Sequence, residues 1–243
     1  MGMIEVKNFR KSFGAKLIHR DVTFYVQKGE CLALIGGSGV GKSVILRSLI
    51  GLEKPDSGII EIDGQEITHM KELELSEIRK KMAYVFQGGA LFDSMTVFEN
   101  LAYPLREHFK LSEAEIRDRI LSQLEEFGLS GSDQLFPGNL SGGMQKRVGL
   151  ARSMMMQPEI VLYDEPTAGL DPYNTKKIQE HILRLKSKGK TSILVTHDMP
   201  TAFAVCDKMA YLFNGTISAQ GTIKELEKDT SGLIAKFVNG EAA

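Results

Sequence analysis

Hydrophobic residues alternate with polar ones near the start of the chain. Ile4 and Val6, then Val22, Phe24 and Val26, are spaced by two within residues 3 to 30, which predicts half-buried antiparallel strands. The pattern then changes to short continuous apolar runs: CLALIG (31–36), MAYVF (82–86), IVLY (160–163) and SILVT (192–196). Such runs predict strands buried on both faces, as in a mostly parallel sheet. Helical patterns lie between them, with GKSVILRSLIGL after the first and YNTKKIQEHILRLKSKG before the fourth. KMAYLFNGTISA predicts a hairpin turning at Asn214-Gly215. This alternation is α/β order.

One region interrupts it. From about Gln87 to Met156 the chain offers no convincing strand. Ser112 with Glu115 makes a capping-box pattern, and Ile116, Ile120, Leu124 and Phe127 follow at helical spacing. A second helix starts at Ser141 and carries Met144, Val148, Ala151 and Met155 on one face. The expectation is one α/β domain over residues 1–243, with an antiparallel β part and a helical insertion at about 88–156. Within it, YVFQGGALFDSMTVFENLAYPLREH (84–108) is too apolar for an ordinary loop. Gly88, Gly89 and Pro104 break it too often for one regular helix. About half of Leu91, Phe92, Met95, Val97 and Phe98 should pack internally, and the rest should line a docking groove.

Composition narrows the classes. A net charge of -1 gives no global basic field to attract nucleic acid, so no nucleic-acid partner is expected. Two cysteines make no disulfide framework, and Cys31, opening an apolar run, reads as a buried strand position. MGMIEVKNFRKSFG lacks the apolar core of a signal peptide. No run approaches the roughly 18 apolar residues of a membrane span. The expected location is cytoplasmic, with any membrane work done through a partner.

The chemistry sits at the ends of the apolar runs. Gly36-Gly37-Ser38-Gly39-Val40-Gly41-Lys42-Ser43 matches the phosphate-binding loop G-x-x-x-x-G-K-[ST], placed as required between a buried strand and a helix. Its glycines let backbone N–H groups turn toward phosphate, and the helix start adds partial positive charge. Lys42 suits β and γ phosphates and Ser43 suits Mg²⁺. IVLY ends in Asp164 and Glu165, beyond the carboxyl end of a strand, where ligands of α/β sheets bind. Asp164 can hold the Mg²⁺ shell and Glu165 can polarise an attacking water. His197, after SILVT, can contact the γ-phosphate. Ser141-Gly142-Gly143 is a second phosphate-compatible helix start. One chain needs only one such loop, so the second raises the possibility of service to another chain's nucleotide.

Taken together these motifs resemble the ATP-binding-cassette (ABC) ATPase family along nearly the whole chain. GGSGVGKS resembles Walker A, Gln87 the Q-loop, LSGGM the signature, IVLYDE Walker B, AGLD (168–171) the D-loop and His197 the switch histidine. Phe13 stands where the family places an aromatic on adenine. Two departures are Met144 where Gln is usual and Val44 where Thr is common. The resemblance implies a P-loop NTPase fold that binds ATP and Mg²⁺, with Gln87 reaching the metal and Asp171 of the D-loop among the nucleotide-binding residues. It implies a homodimer in which each site takes Walker A and B from one copy and Ser141, Gly142 and Gly143 from the other. GGALFDSMTVFENLAYPLREH is similar to ATPases of the Mla (maintenance of lipid asymmetry) type. That similarity implies a transmembrane permease docking near residues 87–108 and an MCE-domain substrate-binding protein. It also implies a place on the cytoplasmic face of a bacterial inner membrane and phospholipid trafficking. The alternatives are an importer of amino acids or small solutes, a non-transport ABC switch, and a P-loop kinase. LSGGM and the Asp164-Glu165 pair argue against the last.

Overall fold

The computed structural model describes residues 2–228 and 231–241. The alternating segment forms β1 (Ile4–Phe13) and β2 (Lys16–Val26), antiparallel, with Ile4 opposite Val26 and Val6 opposite Phe24. The first apolar run is β3 (Cys31–Ile35), and the glycine loop behind it leads into α1 (Lys42–Leu49). Three elements follow that the apolar pattern does not announce: β4 (Ser57–Ile62), β5 (Gln65–Glu66) and α2 (Glu72–Lys80). β4 extends the antiparallel part by pairing with β1.

The second run is β6 (Met82–Val85). Then come α3 (Val97–His108), α4 (Glu113–Glu126), a short 3₁₀ turn at Pro137–Asn139, and α5 (Gly142–Met154). The α/β rhythm resumes with β7 (Ile160–Asp164), α6 (Pro172–Ser187), β8 (Thr191–Val195) and α7 (Met199–Val205). The hairpin is β9 (Lys208–Phe213) and β10 (Thr216–Thr222), followed by α8 (Ile223–Leu226) and α9 (Leu233–Val238). Asn214 and Gly215 both have positive φ, 49° and 78°, as a type I′ turn demands.

The described strands form one sheet in the order β5-β4-β1-β2-β10-β9-β3-β8-β7-β6. Its β9-β3-β8-β7-β6 half is parallel. Successive side chains leave a strand on opposite faces, and β3 shows it. Cys31, Ala33 and Ile35 join the core under α3 to α7, while Leu32 and Leu34 join the core containing α1, β1 and β2. Cys31 and Cys206 are buried free thiols.

α3 and α4 both start with reciprocal capping boxes, Thr96 with Glu99 and Ser112 with Glu115. Pro104 lies inside α3 rather than ending it, and Phe109 N–H still bonds the Leu105 carbonyl at 2.9 Å. An interior proline costs about 3 kcal/mol. Leu101 and Leu105 are fully buried on either side of it, and burying each contributes roughly 1.5–3 kcal/mol, so packing holds the helix. Of the apolar residues before it, Val97 is buried, Leu91 and Phe98 pack on the core from its edge, Met95 is half-buried, and Phe92 and Tyr103 are exposed.

Candidate functional site

The carboxyl ends of β3, β6, β7 and β8 meet at a cleft of about 470 Å³. Gly36, Ser38, Gly39, Gly41, Lys42, Ser43, Val44, Gln87, Glu165 and His197 line it. Gly37 is exposed beside it and Val40 packs on the core beneath the loop. The loop needs glycine where it bends hardest. Gly41 holds φ 99°, and a Cβ there would sit 2.6 Å from the His19 ring. His19 lies behind the loop, fully buried, with Nε2 3.2 Å from the Gly41 carbonyl.

Lys42 donates to the Gly36 and Gly37 carbonyls at 2.8 and 2.9 Å, spanning the loop it would share with a phosphate. Burial pulls its pKa down, opposed by Glu165 and Asp164. Ser43 Oγ donates to Asp164 Oδ1 at 2.8 Å, and Tyr84 donates to Asp164 Oδ2 at 2.7 Å. Burial, then Asp164, pushes the Tyr84 phenol well above its ordinary range. Glu165 holds φ 51°, uncommon for a non-glycine residue. Its N–H bonds the Val195 carbonyl at 2.9 Å, which fixes the turn. The Glu165 carboxylate lies 2.9 Å from His197 Nδ1 and accepts from His197 N–H at 3.3 Å.

Hard divalent cations take oxygen ligands. Ser43 and Asp164 offer oxygens at the cleft edge and Gln87 lines the same cleft. No group of three or more His, Cys, Asp or Glu gathers elsewhere among the described residues to hold a metal alone. These residues fit a cation that completes its shell with phosphate oxygens and water.

Other expected site residues lie outside the cleft. Phe13 is exposed at the end of β1, with the Lys11 ammonium 4.9 Å from its ring centre. Ser141 caps α5, its Oγ accepting from Met144 N–H at 3.3 Å, and Ser141 and Gly142 are exposed. A Cβ on Gly143 would lie 2.5 Å from the Asn174 side chain. Asn174 N–H in turn donates to Asp171 at 2.9 Å. Lys146 adds a hydrogen bond to the Ala168 carbonyl. The start of α5 and residues 168–174 therefore form a second, separate cluster.

Four participants escape the motifs. Tyr84 is one, and its only signal is a phenol at the cleft end of an apolar strand. Lys146 is another. The remaining two are Asn100, fully buried, and Arg152. Asn100 Nδ2 faces the carbonyls of Phe92, Met95 and Thr96 at 3.1, 3.2 and 3.0 Å, and its Oδ1 accepts from Phe92 N–H at 2.9 Å. Arg152 donates to Asn100 Oδ1 and to the Gly89 and Ala90 carbonyls at 3.2, 3.2 and 2.8 Å. Gly149 lets the backbones meet, since a Cβ there would be 2.7 Å from Gly89. The loop after Gln87 is thus clamped to the helix that starts at Ser141. A separate cavity of about 290 Å³ opens between α4 and α6, where Glu126 pairs with Arg184 and Lys188.

A family model described as ABC transporter matches residues 19–168. The chain is 44% identical over 238 residues to the "Probable ribonucleotide transport ATP-binding protein mkl" of Mycobacterium leprae, covering 98% of this chain and 69% of that one. It is 37% identical over 241 residues to the "Intermembrane phospholipid transport system ATP-binding protein MlaF" of Haemophilus influenzae, covering 99% of this chain and 91% of that one. Among solved structures, a dimeric ATP-binding cassette in a post-hydrolysis state with ADP and Pi superposes at TM-score 0.85 and 32% identity. It covers 91% of this chain and 99% of that chain. No described helix is long and apolar enough to cross a membrane.

Proposed function

The chain belongs to the ABC transporter family and is an ATPase, and from that premise we propose that it powers phospholipid trafficking between membranes through a permease. The observation that carries the ATPase site is the meeting of Lys42, Ser43, Gln87, Glu165 and His197 around one cleft, with Asp164 tied to Ser43. In this reading the N–H groups of residues 36–43 cradle the phosphates of ATP and Lys42 exchanges its carbonyl partners for β and γ oxygens. Ser43, Asp164 and Gln87 hold Mg²⁺, which neutralises charge developing on the phosphates when bound. Glu165 polarises the water. His197, with Nδ1 against Glu165, turns its other ring nitrogen to the γ-phosphate. Phe13 takes the adenine.

Ser141 and Gly142, exposed away from the cleft, and Gly143, beside the Asn174 that bonds Asp171, serve the nucleotide of a second copy in a homodimer. The helical part at about 88–156 belongs to the same single domain, 1–243. Exposed Phe92 and Tyr103, in edge contact at 5.4 Å, offer a permease helix an apolar seat near residues 87–108. In this reading the chain works on the cytoplasmic face of a bacterial inner membrane, beside an MCE-domain protein. The phospholipid assignment rests on the MlaF relatives, such as that of Haemophilus influenzae, which matches over 91% of its length. The higher identity to the mkl relatives favours a second reading, a solute other than lipid.

Glu165→Gln tests the site. It is expected to keep ATP binding and lose turnover at least about 100-fold, the scale of one displaced catalytic group. Turnover within a few-fold of the parent excludes Glu165 from that role. Purifying the chain from its native membrane tests the substrate. A permease with an MCE-domain protein supports lipid, and a soluble solute-binding protein overturns it.

A further inference from the structure

We propose that Tyr84 is a positioning residue for the divalent cation, acting through Asp164 and resting on the ATPase reading above. The placement follows from the pleat. β6 and β7 are parallel neighbours with Tyr84 beside Leu162. Tyr84 and Leu162 pack on the same core, so Asp164, two residues further along β7, leaves the sheet on the side the Tyr84 ring faces. The phenol reaches diagonally to Oδ2 at 2.7 Å, while Ser43 reaches Oδ1 at 2.8 Å from α1.

Each hydroxyl has one job in this arrangement. The carboxylate has two oxygens and each accepts one hydroxyl, which fixes its plane. Ser43 spends its only hydrogen on Asp164, so both of its lone pairs remain for a cation on the cleft side. The Tyr84 ring is itself steadied by Phe86, ring centres 4.4 Å apart, immediately before Gln87. Without the phenol, Asp164 Oδ2 is free to rotate, and the Ser43 hydroxyl follows it.

The test is a Mg²⁺ titration of trinitrophenyl-ATP binding to the full chain, with Tyr84→Phe beside the parent. In EDTA the two affinities are expected to agree within about twofold, because the phosphate-cradling loop is untouched. The Mg²⁺ needed for half of the metal-dependent tightening is expected to rise about 3- to 10-fold, the effect of roughly one lost hydrogen bond. Superimposable Mg²⁺ curves overturn the assignment, as does an equal loss with and without metal, which marks a packing role. Tyr84→Met keeps bulk without the hydroxyl and must show the same rise even where Tyr84→Phe lowers the melting temperature. A parent protein with no Mg²⁺ dependence at all refutes the metal part of the ATPase reading instead.

Discussion

The nucleotide cleft and the helical layer over residues 88–154 are held together by different kinds of chemistry. The cleft is set mainly by backbone. Gly41 sits at φ 99° against His19, Glu165 at φ 51° is anchored to the Val195 carbonyl, and Lys42 bonds two carbonyls of its own loop. The Lys42 contacts lie within six residues, the Glu165 contact joins adjacent strand ends, and only His19 reaches the loop from farther away, 22 positions back on β2. The helical layer is set by side chains that span long separations. Asn100 and Arg152, fifty-two positions apart, gather the backbone of residues 89–96 and tie it to α5. The lesson is that backbone geometry shapes the nucleotide cleft while the helical layer depends on two polar side chains.

The largest expected effect strikes the backbone side of this contrast. Gly41→Ala forces a Cβ to within 2.6 Å of the His19 ring at a φ that L-residues avoid. Strain of about 1–3 kcal/mol plus the clash is expected to weaken ATP binding at least roughly 100-fold, read by fluorescent-nucleotide titration. Binding within a few-fold of the parent means the loop is not fixed by its backbone.

Asn100→Ala probes the other side and touches no nucleotide residue. It strands the Phe92 N–H and several carbonyls that Asn100 satisfies in the core. Each buried group left unpaired costs about 1–3 kcal/mol, and water will reach some of them, so a loss of about 2–4 kcal/mol in denaturant unfolding is expected. Nucleotide affinity should change less than about threefold. Unchanged stability removes Asn100 as the hub, and a large affinity loss dissolves the contrast between the two regions.

This contrast also explains what could be read from the sequence. β3, β6, β7 and β8 were legible because strands buried on both faces carry unbroken apolar runs, and the phosphate-binding loop because its geometry demands glycine at fixed spacing. The capping boxes at Ser112 and Thr96 are local too, and only the first stood out. β4 and β5 gave no such signal, because SGIIEI shares its polar and apolar letters with a loop. Pro104 reads as a breaker, yet Leu101 and Leu105 hold α3 across it. Asn100 was invisible for the same reason. A polar letter on a helix face looks solvated until its partners, eight and fifty-two residues away, are known. Tyr84 belongs with these, since its partner is eighty positions on.

His19 joins the two modes, a buried side chain that supports the backbone-built loop, and it supplies the smallest expected effect. Its Nδ1 has no hydrogen-bond partner among the described residues. Burial lowers its pKa from 6.5 to about 4, only partly offset by the Gly41 carbonyl. The unfolded chain therefore takes up a proton below about pH 6.5 that the folded chain refuses until about pH 4. Stability attributable to this site is fully present above pH 6.5 and falls as pH drops through that window. His181, stacked on Phe127 at 4.1 Å and also lowered to about 4, contributes in the same direction. Each should account for on the order of 1 kcal/mol at pH 5. His19→Leu is expected to flatten the fall in melting temperature between pH 7 and pH 5, and to leave the share carried by His181. A variant whose stability falls as steeply as the parent's would mean that His19 is not buried neutral, and that the loop above it rests on backbone alone.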